Sequence, residues 1–286
     1  MTALSYHDFP LANNPRVRPM LRLPRNMITI ILVLTTGYPT PADQLLSKKV
    51  RILLLGDSTV IGSVCRLDAP KADHLEDVIR KLLAAEPDLP PTEVINQGRD
   101  GEFVQGLLSS RYQREIATLP KCDFVLIRYG LNDRGRRKDF AKNFPEDLRE
   151  LIRRLQKDHA GCQIILETVI PYFSGDADKT INDLVRGVAK SEKVPLLDTN
   201  ARFAAEMKHG PNMLAYHRVS LDKVPAKFHA LLPPESKKRG YVVVQDNHLD
   251  AHLRDVPGWF SDRHPNLAGY HVIGDEAAKF LAPLIT

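Results

Sequence analysis

Cysteine is scarce in this 286-residue sequence. Its three cysteines, Cys65, Cys122 and Cys162, lack the spacing of a metal-binding set, and an odd number excludes a fully paired internal disulfide framework. They lie in or beside apolar segments, which predicts buried thiols. The excess of charge of one sign is small as well. The net charge is +5, of which the first 46 residues carry +2 and the remainder +3. With no aromatic-studded basic stripe, that balance excludes a nucleic-acid partner. No apolar run is long enough for a bilayer span; the run at 27–36, MITIILVLTT, holds about ten residues. Internal repeats and low-complexity segments are absent. What remains, 43% hydrophobic and 26% charged residues, suits a chain that buries a full core, as one large domain or two smaller ones.

Residues 1–46 differ from the rest. Prolines at 10, 15, 19 and 24 make the start irregular, and Arg22 and Arg25 then precede the apolar run and the sequence GYPTPA. A cationic flank, a short apolar core and small residues resemble a secretory signal peptide, which predicts a secreted, periplasmic or cell-envelope protein. The long polar start suggests translation from Met20 or Met27. The alternative is an extension of a cytoplasmic protein. The domain proper is expected over 47–286.

From Lys48 onward, strand-like runs at 50–55, 92–96, 123–129, 163–170 and 194–197 alternate with helical patterns near 71–85, 104–118, 145–159 and 178–192. Leu148, Leu151, Ile152 and Leu155 keep the helical period, with Arg149, Arg153 and Arg154 opposite. The alternation predicts a five-stranded parallel sheet with helices on both faces, an α/β/α sandwich. The stretch 203–258 breaks the rhythm. It is rich in His, Pro and Lys, with one strand-like piece at 241–245, and is expected to be a loop-rich insert over one end of the sheet. A helix over 265–282, with Pro265 in its first turn, closes the chain.

The stretch RILLLGDSTVIG, residues 51–62, reads as a buried strand turning into a helix at Ser58. Parallel sheets bind ligands at the carboxyl ends of their strands. Three such ends carry unusual loops: Gly56-Asp57-Ser58, Asn96 to Gly101, and Gly130-Leu131-Asn132-Asp133. A fourth loop, Asp262-Arg263-His264-Pro265, precedes the last helix. Singly, each also suits a turn or a helix cap. Together they suit acyl transfer. Ser58 needs a base to become nucleophilic, and His264 is the candidate. The backbone N–H groups of Ser58 and Gly101 and the Asn132 amide are candidate donors to the oxyanion of a tetrahedral intermediate.

In this order the blocks resemble the SGNH, or GDSL-type, esterase and acetylesterase superfamily: GDS at 56–58, Gly101, GxND at 130–133 and His-Pro at 264–265. The resemblance implies a flavodoxin-like sandwich and a serine hydrolase mechanism without metal or cofactor. Ser58 is then the nucleophile, His264 the general base, and Ser58, Gly101 and Asn132 the oxyanion hole. One position departs from the pattern, because the Asp usual three residues before the histidine is replaced by Ser261. Asp262 is the nearest carboxylate. A backbone carbonyl near Ser261, or Asp250 or Asp255 from the insert, are the other candidates to orient His264. The expected substrates are small acyl esters, acetyl esters of carbohydrates foremost. A lysophospholipase or thioesterase, and a non-catalytic carbohydrate-binding module, are the alternatives. His248 and His252, flanked by Asp246, Asp250 and Asp255, have the spacing of a metal-binding helix face but no third ligand in register. The run Arg134, Arg136, Arg137 and Lys138 is either a solvated turn or a contact for an anionic group.

Overall fold

The structure is a computed structural model and describes residues 49–285, apart from 174, 211 and 212. The expected N-terminal signal segment lies outside the described residues. No described helix is long and apolar enough to cross a membrane.

Five strands form one parallel sheet: β1 (Val50–Gly56), β2 (Thr92–Asn96), β3 (Phe124–Arg128), β4 (Gln163–Glu167) and β5 (Leu196–Leu197), in the order β2-β1-β3-β4-β5. The first crossover carries the chain from β1 to β2 on one side, and the next returns it to β3 on the other. The switch point therefore falls at the carboxyl ends of β1 and β3, where doubly wound sheets open a crevice. Gly56 is in register with Arg128, so the loops beginning at Asp57 and Tyr129 leave the sheet side by side.

Alternation along the strands divides the core between two faces. Leu53, Leu55, Val125, Ile127 and Leu166 pack with the helices Val104–Ser110, Phe140–Asp158 and Ala177–Glu192. Ile52, Leu54, Phe124, Leu126 and Ile165 pack with Leu75–Ala84, Thr199–Met207 and Leu267–Leu281. All the expected strands form. The helix expected to start at Pro145 starts at Phe140 instead, because Phe144 and Leu148 bury together against the sheet. Pro265 lies ahead of the last helix rather than in its first turn, since Asn266 caps that helix by accepting the Gly269 N–H.

The insert is more ordered than its sequence suggests. Two antiparallel strands, β6 (His217–Ser220) and β7 (Tyr241–Val244), pair. Val219, Val242, Val244, Leu253 and Trp259 among others form a small core of their own.

Among the polar groups in the main core is an ion pair. Arg128 on β3 and Glu167 on β4 meet at 2.7 Å, both nearly without exposure, and Arg128 also donates to the Thr59 carbonyl at 2.8 Å. Arg128→Ala leaves the Glu167 carboxylate unpaired in the interior. The expected loss is about 3–5 kcal/mol in urea unfolding, whereas the double change Arg128→Met with Glu167→Leu restores most of it. A single variant as stable as wild type would contradict this account.

Candidate active site

Three strand tips and the loop before the last helix meet at one cleft of about 460 Å3. Ser58, Gly101, Asn132 and His264 all line it. Ser58 begins the helical turn Ser58–Ile61, and the preceding Asp57 fixes that turn by accepting from the Thr59 N–H at 2.9 Å and the Thr59 hydroxyl at 2.8 Å. Burial pushes the Asp57 carboxyl up, against the pull of those Thr59 bonds and of the Arg128 and His264 charges. Asp57 thus holds the turn from beneath, and Ser58 faces the cleft.

The second loop rests on a buried charge network. Arg111 donates to both oxygens of Glu102, each at 2.7 Å, and to the Gln97 carbonyl at 2.6 Å. The Tyr129 hydroxyl donates to Glu102 at 2.6 Å. Gly101, next in line, has φ +68°, a left-handed conformation that favours glycine. In the third loop Gly130 has φ +134°, and a Cβ there would stand 2.3 Å from the Ile181 side chain. Asn132 follows and donates one amide hydrogen to the Glu102 carbonyl at 3.1 Å. Its second amide hydrogen bonds no other described residue, and a primary amide carries two. Asp133 ties this loop to the second one, accepting the Val104 N–H at 2.9 Å. Burial pushes its carboxyl up to about 7.

The fourth loop completes the arrangement across the cleft. His264 Nε2 lies 2.9 Å from Ser58 Oγ, and His264 Nδ1 lies 2.6 Å from Asp262 Oδ1. The same carboxylate oxygen accepts the His264 backbone N–H at 3.1 Å. The shift from position −3 to −2 therefore brings a carboxylate to the ring through a tight local turn. The other candidates are engaged elsewhere or make no bond to the ring. The ring bonds no backbone carbonyl near Ser261 among the described residues, and Asp250 accepts the Trp259 indole N–H at 2.7 Å. No bond joins Asp255 to His264. Although burial raises the Asp262 carboxyl, hydrogen bonds from His264 and the charges of His264 and Arg218 outweigh it and hold the group below the usual carboxylate range.

Three cleft residues have no counterpart in the sequence motifs. Tyr172, just past the fourth strand tip, places its hydroxyl 3.2 Å from His264 Nδ1. Burial and the negative charge of Asp262 and Asp57 push its phenol up to about 12. Tyr216 stacks nearly parallel on the imidazole, 5.7 Å between ring centres. Arg218 reaches Asp262 Oδ2 at 2.7 Å. The Tyr172-Phe173 pair at a strand end is a signal that could have found the first, whereas the other two lie in a stretch without a motif.

His248 pairs with Asp246 on the surface, while His252 packs against Phe228. Among the described residues no three His, Cys, Asp or Glu side chains gather as a metal-binding group. Arg137 pairs with Asp147, and Arg134 lies over Phe173 at 5.2 Å. All three cysteines are free, and burial pushes the Cys65 thiol up to about 12.

Residues 54–272 match the model of the GDSL-like lipase/acylhydrolase family. Similar solved structures include LAE5, an α/β hydrolase enzyme from the metagenome of Lake Arreo, Spain, at 22% identity over 83% of this chain and 96% of that one, TM-score 0.52. Another is the acetylxylan esterase Axe2 from Geobacillus stearothermophilus, at 19% identity over 82% and 94%, TM-score 0.51. A third is the lipase/acylhydrolase from Enterococcus faecalis, at 20% identity over 83% and 97%, TM-score 0.53. At these identities the likeness is one of fold. No curated protein gives a match to the sequence. The family match runs from within β1 into the terminal helix and takes in every loop of the cleft, and on it the chain belongs to the GDSL-like lipase/acylhydrolase family of hydrolases.

Proposed function

We propose that the protein is a serine esterase acting on small acyl esters, with acetyl groups on carbohydrates as the preferred substrates. The observation that carries the proposal is the contiguous line Ser58 Oγ, His264 and Asp262, joined at 2.9 and 2.6 Å beside a cleft. In this reading Ser58 Oγ attacks the ester carbonyl carbon while His264 Nε2 takes its proton, and Asp262 holds Nδ1–H and stabilises the imidazolium. The carbonyl oxygen becomes an oxyanion and meets the N–H groups of Ser58 and Gly101 and the second N–H of Asn132. Collapse breaks the bond to the alcohol, which leaves with the proton from His264. Water, activated by the same imidazole, then attacks the acyl-serine and releases the acid and Ser58.

The carbohydrate preference rests on the cleft walls. Tyr172, Phe173 and Tyr216 offer aromatic surface, and Asp100 and Asn132 offer polar groups, a mixture suited to sugar rings and hydroxyls. The fold similarity to an acetylxylan esterase points the same way. The test compares p-nitrophenyl acetate, butyrate and decanoate, together with acetate release from acetylated xylooligosaccharides. Acetate turned over at least about tenfold better than butyrate, which means at least ~1.4 kcal/mol in transition-state binding, is the expected result. A preference rising with chain length would favour the lysophospholipase or thioesterase reading instead. No turnover on any of these esters would leave the binding module.

A further inference from the structure

The segment of the insert that leads into β6 bonds to the loop that bears His264. The Tyr216 N–H donates to the His264 carbonyl at 3.2 Å, and the Asn266 N–H donates to the Leu214 carbonyl at 3.0 Å. Ala215 and Pro265 form an antiparallel bridge between those bonds. The Asn266 side chain adds bonds to the carbonyls of Met213 at 2.9 Å and Gln245 at 2.6 Å, so the chain entering β6 and the chain leaving β7 are both tied to the loop that bears His264. Arg218 projects from this splinted strand.

From that position we infer that Arg218 is a positioning residue for the esterase reaction: it fixes the Asp262 carboxylate by its outer oxygen so that the inner oxygen stays on His264. The inference rests on the proposed roles of Ser58, His264 and Asp262. The two oxygens of Asp262 are divided. Oδ1 serves the His264 ring and backbone, and Oδ2 pairs with Arg218 at 2.7 Å. The Asp262 side chain is only 6% exposed, so without Arg218 its outer oxygen would sit in a largely dry site without that charge partner. Rotation of the carboxylate, or entry of water beside it, would then loosen the ring that must meet Ser58. Arg218 is itself 44% exposed, with its guanidinium 5.9 Å from the centre of the Tyr216 ring. Solvent screening at that exposure makes its electrostatic effect modest, well below the effect of removing His264 itself.

Arg218→Met and Arg218→Lys are assayed for kcat and KM on p-nitrophenyl acetate, beside Ser58→Ala and Asp262→Asn. The expected result for Arg218→Met is a roughly tenfold lower kcat with KM within about twofold. Arg218→Lys should recover part of the rate. If the methionine variant does not fold, as judged by thermal unfolding, the lysine variant alone should show an intermediate kcat with KM unchanged. In the Asp262→Asn background Arg218→Met should cost little more, because its effect passes through the carboxylate. A raised KM with unchanged kcat would make Arg218 a substrate contact and overturn the inference, as would a full further loss in the Asp262→Asn background. Full activity in Ser58→Ala would instead remove the underlying esterase assignment, a failure separate from a silent Arg218.

Discussion

His264→Ala is expected to lower kcat on p-nitrophenyl acetate by about four to six orders of magnitude, and Ser58→Ala to lower it by a similar factor. The size of the effect follows from the chemistry at a single 2.9 Å contact. A serine hydroxyl gives up its proton reluctantly, so without the imidazole Ser58 attacks as a weak neutral nucleophile. Whatever rate survives comes from the donors around the oxyanion and from substrate positioning. The double variant Ser58→Ala with His264→Ala is the sharper measurement. Two groups that act as one unit are lost together when either is removed, so the double variant should be no slower than the worse single one. Independent factors that multiply would show that the 2.9 Å contact is not used in catalysis. A His264→Ala enzyme within about tenfold of wild type would show the same.

The parts of this site that sequence reveals are those where local chemistry alone decides the conformation. Gly56, Asp57 and Ser58 form a strand end, a cap and a first helical residue, and each role is set by near neighbours. Gly130 is legible because its φ of +134° suits a residue without a side chain. The order of the strands follows from alternation with helices, which leaves few topologies. The Asp262 contact was an open question, because whether a carboxylate two residues before a histidine can reach its ring depends on the turn between them. Strand β6 was missed for a different physical reason. Its pattern, with His217 and Val219 buried and Arg218 and Ser220 exposed, spans only four residues, and its partner β7 lies beyond an intervening segment. Arg218 belongs to the site only because that long-range pairing forms, and Tyr216 because its N–H bonds the His264 carbonyl; no local propensity encodes either. The buried pair of Arg111 and Glu102 was equally hidden, since nothing nearby in the sequence distinguishes it from surface charges.

That same pair bears on the second large effect, expected for Asn132→Ala: a fall of about a hundredfold to a thousandfold in kcat, or about 3–4 kcal/mol of transition-state stabilisation. The Asn132 amide is held in place before substrate arrives. One hydrogen goes to the Glu102 carbonyl at 3.1 Å, and the Glu102 side chain is anchored by Arg111 and Tyr129. A donor fixed in this way requires little reorganisation when negative charge develops on the carbonyl oxygen, and the gain is confined to the transition state. The loss should therefore fall on kcat and kcat/KM alike, with KM nearly unchanged. Truncation also frees the Glu102 carbonyl, so unfolding in urea must accompany the kinetics; a destabilisation of about 1 kcal/mol is the ordinary cost of one lost bond. A raised KM with kcat intact would mean that Asn132 binds the ester in its ground state, and that the oxyanion is met by the backbone of Ser58 and Gly101 without it.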